Sequence, residues 1–151
     1  MTKEEKELLL KDLCARLPYG VICQFIWTYS NETTDGEDVI ARENDNIRCI
    51  DIHTKEIQAD YYGEWVDLEH CKPYLRPMTS MTEEEAIFLN GLVYNKESVF
   101  SSPVPIYVVN EGDIDKYIDY CNEHCLDWRY LIEKGLAIEA HKGMYKRYER
   151  D

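Results

Sequence analysis

Twelve acidic residues against three basic ones (Arg42, Arg48, Lys55) fall between Ser30 and Glu69. The same stretch holds most of the strand-like sequence and carries −9 of a formal net charge of −13. A sheet built here keeps those acids on a solvated surface, because ionised side chains are almost never buried unpaired. Such a surface repels phosphate backbones, since nucleic-acid binding needs Lys and Arg to displace counterions. It favours a basic protein partner or plain solubility.

The strand signals are short. Val21–Trp27 is β-branched and aromatic, with Val21, Cys23, Phe25 and Trp27 on one face and Ile22 and Ile26 on the other. Asp38–Arg42 and Ile47–Ile52 read as strands separated by an Asn44-Asp45-Asn46 turn. Ile57–Tyr62 follows a His53–Glu56 connection, Gly63 interrupts, and Trp65-Val66 resumes before a helical turn over Asp67–Pro73. About five short strands at this spacing predict a small, strongly bent antiparallel sheet or barrel-like module.

Helices flank it. Thr2 with Glu5 forms a capping box ahead of Leu9, Leu13 and Leu17, with Leu10 and Cys14 beside them, and Pro18 ends the helix. Thr82 with Glu85 forms a second box, predicting a helix to about Tyr94. After a loop and a short strand at Ile106–Val109, Ile114, Tyr117, Ile118, Cys121 and Cys125 mark a third helix stripe. A further short helix from Asp127, a last strand over Leu136–Ala140 and a basic tail complete the chain. The expected class is α+β: an N-terminal helix, an antiparallel barrel-like sheet of about five strands, and a helical C-terminal part. The boundary falls between modules at 1–78 and 79–151. A chain of 151 residues buries about 68–70% of its unfolded surface and folds without a staple.

The charged start at Met1–Glu7 has no apolar core of a signal peptide, and no apolar run reaches membrane length. The expected location is cytoplasmic, with the six cysteines reduced and no membrane contact. Cys121-Asn122-Glu123-His124-Cys125, with His70-Cys71 elsewhere, has some zinc-ligand character, but Cys121 and Cys125 belong to an apolar stripe and no CxxC pair exists. Neither metal nor cofactor is expected. Cys71 beside His70 and Lys72 lacks a nearby Gly-rich segment to hold an oxyanion, and residues adjacent in sequence rarely meet in catalytic geometry. Nucleotide P-loops, dinucleotide fingerprints, zinc-protease and calcium-loop patterns do not occur. No catalytic residue is nominated.

The aromatic set gives the sharper signal. Tyr61 and Tyr62 are consecutive, so on a strand one of them faces outward. Trp65, Tyr74 and Arg76 follow. Outward aromatics beside Arg form a recognition surface for a peptide or a base. The competing reading packs them over the sheet or on the later helices. The acids of the polar turn, Asp35, Glu37 and Asp38, are the candidate contacts for a basic partner.

Three segments taken together, Lys11–Val21 (KDLCARLPYGV), Lys72–Glu84 (KPYLRPMTSMTEE) and Asp127–Ala140 (DWRYLIEKGLAIEA), carry a resemblance. They resemble a group of small uncharacterised proteins encoded by gut anaerobic bacteria and their phages or prophages. The resemblance implies a setting, a phage or mobile-element accessory factor in a bacterial cytoplasm, and no activity, cofactor or site residue. The expected function is non-catalytic binding or inhibition of a host protein through the acidic face. The alternative is a small-ligand or nucleotide-sequestering protein using Tyr and Trp stacking with Arg76 or Arg48. A hydrolase with no nominated nucleophile is the third reading. Nucleic acid is not expected as a direct ligand, and the sequence leaves the oligomeric state open.

Overall fold

A computed structural model describes residues 1–30, 36–93 and 109–145. The chain divides into two compact units, Met1–Tyr74 and Leu75–Asp151. Its class is α+β. Among the described residues, six strands form one open, mostly antiparallel sheet in the order β4-β3-β2-β1-β5-β6, and not a closed barrel. Among the described residues, no helix is long and apolar enough to cross a membrane.

The first unit opens with α1 (Lys3–Arg16), whose capping box joins Thr2 and Glu5 as the sequence predicts. Its buried face is not purely apolar. Leu9 and Leu13 are accompanied by Asp12 and Arg16, both fully buried. Arg16 Nε and a terminal nitrogen donate to the two Asp12 oxygens at 2.8 and 3.2 Å, so the pair one turn apart enters the core as a bidentate unit. Cys14, predicted alongside the leucine stripe, is exposed. A 3-10 turn at Leu17–Tyr19 leads to β1 (Ile22–Tyr29).

β2 (Val39–Asp51) runs through Asn44-Asp45-Asn46, where a turn was expected. The reason is Asp45. Its carboxylate accepts the Tyr61 and Tyr62 N–H groups at 2.7 and 3.2 Å, and the Asn46 N–H at 2.8 Å. A turn-forming side chain thus satisfies another turn's backbone while its own stays in the ladder. β3 (Glu56–Ala59) stops earlier than expected, which moves Tyr61 and Tyr62 off the strand and into the bend before β4 (Trp65–Asp67). Asp51 accepts the His53 and Thr54 N–H groups and closes the β2–β3 hairpin. After a 3-10 turn at Leu68–His70, β5 (Cys71–Leu75) pairs with β1 from Cys23 to Phe25. A strand containing Pro73 was not expected. The buried side chains of this unit include Val21, Cys23, Phe25, Ile57, Val66 and Leu68.

The second unit is less helical than expected. α2 (Glu83–Asn90) carries the Thr82–Glu85 capping box and ends at Gly91, short of Tyr94, which lies outside the described residues. α3 (Ile114–Glu123) buries Tyr117 and Cys121, whereas Ile118 is only half-buried. Tyr117 and Cys121 pack with Met78, Ala86, Leu89, Val93, Val109 and Leu126. Of the strand expected at Ile106–Val109, Val109 alone is described, bridged to Val93. Among the described residues, no helix starts at Asp127. Its carboxylate accepts the Leu131 and Ile132 N–H groups at 2.8 and 3.0 Å, and Tyr130 adopts a left-handed φ of 62°, which a helix does not accommodate. β6 (Ile138–Glu139) is a two-residue strand, and the Ala140 N–H donates to the Leu75 carbonyl.

Candidate functional site

β1 is eight residues long, but its pairing with β5 stops at Phe25. From Ile26 to Tyr29 it pairs with β2 on one side and, among the described residues, with no strand on the other. β4 ends the sheet order and likewise has one unpaired edge. A cleft of about 440 Å³ lies along these edges. It is lined by Ile26, Trp27 and Thr28 of β1, Ile40 of β2, and Trp65 and Asp67 from β4. Three consecutive β1 residues line it, together with Ile40, the β2 partner of Thr28.

The cleft continues into an aromatic cluster through Trp27. The Trp27 ring lies 5.6 Å from that of Tyr62, and Tyr62 lies 5.1 Å edge-on from Tyr61. Tyr61 is 85% exposed and Trp65 46% exposed, so both expected aromatics present much of their surface to water. Tyr62 Oη donates to Glu43 at 3.1 Å, and this bond to a carboxylate raises the phenol's pKa. Ile40 and Tyr29 extend the exposed apolar surface.

The rim is acidic. Asp67 accepts the Glu69 N–H at 2.9 Å, and that bond, with the Lys6 ammonium beside it, holds its carboxyl below the usual range despite partial burial. Lys6 stands 3.2 Å from Asp67 and 3.6 Å from Glu69. One ammonium between two carboxylates leaves a net negative charge. Glu37 and Asp38 are exposed directly before β2, with Asp38 two residues from Ile40. Asp35 lies outside the described residues.

Tyr74 and Arg76 do not join this surface. Tyr74 is buried and its hydroxyl donates to Asn44 at 2.9 Å. Arg76 is buried in the second unit, where it donates to both Glu85 oxygens at 2.8 and 2.6 Å and to the carbonyls of Ser80 and His124. His124 Nδ1 lies 2.8 Å from Glu85, and the Thr82 N–H adds a fourth bond to that carboxylate. Burial pushes the Glu85 pKa up, yet the Arg76, His124 and Thr82 contacts outweigh it and hold the carboxyl far below its ordinary 4.5. Phe88, Tyr120 and His124 stack in sequence at 4.2 and 4.0 Å, and burial, with the Glu85 charge, pushes the Tyr120 phenol up to about 12.

A second cleft, of about 270 Å³, is lined by Met78, Tyr130 and Ile132 with Glu133 and Glu139, beside the Asp127 carboxylate that already caps two N–H groups. Cys71, Cys121 and Cys125 are buried, and His70 is exposed at the first cleft. Among the described residues, no group of three or more His, Cys, Asp or Glu side chains is placed to hold a metal ion.

Trp27, Ile40 and Glu43 were missed in the sequence. Trp27 shares a strand face with Val21, Cys23 and Phe25 in the sequence; the signal for its role is that β5 begins only at Cys71, after the Leu68–His70 turn, so its pairing with β1 ends at Phe25. Comparisons of the chain with protein-family models, curated proteins and solved structures find no match.

Proposed function

We propose that this is a non-catalytic cytoplasmic protein that binds a basic partner protein through the β1–β4 edge and the acids around it. The observation that carries this reading is the coincidence of exposed aromatics with unneutralised acids in one part of the first unit. The few residues that carry most of the binding energy at protein interfaces are enriched in Trp and Tyr, and complementary charge mainly raises association rates. The resemblance to proteins of gut bacteria and their phages makes a host protein the partner, with this chain as a mobile-element accessory factor.

The nucleotide-sequestering alternative is weaker on two counts: Arg76 is already engaged by Glu85 and backbone carbonyls, which leaves Arg48 as its arginine, and the open aromatics sit beside carboxylates that repel phosphate.

The test is affinity capture from a host lysate with the parent protein, with Glu37→Lys/Asp38→Lys, and with Trp65→Ala. The reading predicts a basic protein retained by the parent, released by salt, and lost with both variants. Retention of the same proteins by all three baits contradicts it.

A further inference from the structure

The cleft between β1 and β4 offers two indoles, Trp27 and Trp65, aliphatic walls at Ile26 and Ile40, and the Asp67 carboxylate. Each class of partner side chain meets these groups differently. An aliphatic side chain matches the walls and leaves the acidic rim unanswered. An acidic one is repelled. Lysine brings a compact, strongly hydrated charge. Arginine brings a planar, weakly hydrated cation that stacks on indole, on a stem whose methylenes suit the aliphatic walls. Its several N–H donors also reach a carboxylate in parallel geometry. The charge balance favours a cation, because Lys6 is shared between Asp67 and Glu69 and does not neutralise both.

We propose that the β1–β4 cleft takes an arginine side chain of the partner protein. The inference rests on the basic-partner reading above and gives it a residue. Trp27 and Trp65 supply the stacking faces, Ile26 and Ile40 cover the stem, and Asp67 accepts from the guanidinium.

Nitrogen-labelled protein gives three indole N–H signals, one per tryptophan. Trp128 belongs to the second unit and donates to Asn122, so it serves as the internal control. The probes are blocked glycine pentapeptides with arginine, lysine or norleucine at the centre. The arginine peptide is expected to move the Trp27 and Trp65 signals saturably and leave Trp128 in place. The lysine peptide is expected to bind several-fold more weakly, and the norleucine peptide to produce no saturable shift. Asp67→Asn, which keeps the oxygen that accepts the Glu69 N–H, is expected to weaken the arginine peptide several-fold with the indole spectrum otherwise unchanged. Equal shifts with norleucine, equal affinity for lysine, parallel movement of Trp128, or no shift with any peptide overturns the proposal. So does movement of Trp27 and Trp65 on concentrating the protein alone, which assigns the cleft to a second copy of the chain. If the peptides fail while capture of a basic protein still depends on Glu37 and Asp38, the arginine assignment alone falls. If Glu37→Lys/Asp38→Lys captures as the parent does, the basic-partner reading falls whatever the peptides show.

Discussion

The β1–β4 edge and the Arg76–Glu85–His124 cluster are built from the same kinds of side chain, aromatics and charges. They differ in what is left over. In the second unit every charge of the cluster is answered inside the protein: two nitrogens of Arg76 meet both Glu85 oxygens, and His124 and the Thr82 N–H meet them too. In the first unit, one ammonium serves two carboxylates, and Trp65, Tyr61 and Ile40 face water. Saturation marks a group that holds the fold. Excess charge beside exposed aromatic surface marks one available to something outside it.

The largest expected effect breaks the saturated side. Arg76→Ala leaves Glu85 buried without its main partner, and removing one member of a buried pair costs about 3–5 kcal/mol. Chemical denaturation measures it, and a change below about 1 kcal/mol, the size of an ordinary surface effect, would mean that the cluster does not hold the fold. Arg16→Ala is expected to cost the same, about 3–5 kcal/mol, by removing the ion-pair partner of the buried Asp12.

A second effect is acid sensitivity. The folded pKa of Glu85 is depressed below its unfolded value, so its contribution is complete above the ordinary carboxylate range and lost as pH falls below 4.5 toward the folded value. The parent is expected to lose stability between pH 5 and pH 3 more steeply than Glu85→Gln does. Denaturant midpoints at several pH values check this, and identical slopes contradict it. Thr82→Ala is expected to cost about 1 kcal/mol through the lost N-cap.

Both halves of the comparison were partly legible in the sequence. The capping boxes at Thr2–Glu5 and Thr82–Glu85 were readable because they depend on contacts three residues apart. Which of Tyr61, Tyr62 and Trp65 face water was left open, because alternation on a strand turns one of two consecutive tyrosines outward without saying which. The role of Arg76 was not legible, because its partner Glu85 was already assigned to a cap, and one carboxylate performs both tasks here. Asp45 misled for the same reason. A residue type that makes turns locally was serving the bend at Tyr61-Tyr62 from sixteen residues away. The end of the β1–β5 pairing at Phe25, which leaves the rest of that β1 edge open, depends on where β5 begins, and periodicity carries no information on that pairing.

At the open side the expected effect on stability is smallest. Trp65→Ala lies on the surface and should change stability by no more than about 0.5 kcal/mol, while abolishing partner capture. A large loss of stability would place Trp65 with the structural aromatics and erase the contrast.

The rate at which the captured partner associates, measured by stopped flow from low to physiological salt, tests the central claim most directly. Electrostatic steering predicts a fast parent rate that falls steeply as salt rises, and a slower, nearly salt-independent rate for Glu37→Lys/Asp38→Lys. If the charge-reversed variant associates as fast as the parent, with the same salt dependence, the acids serve solubility and the account of this surface is wrong.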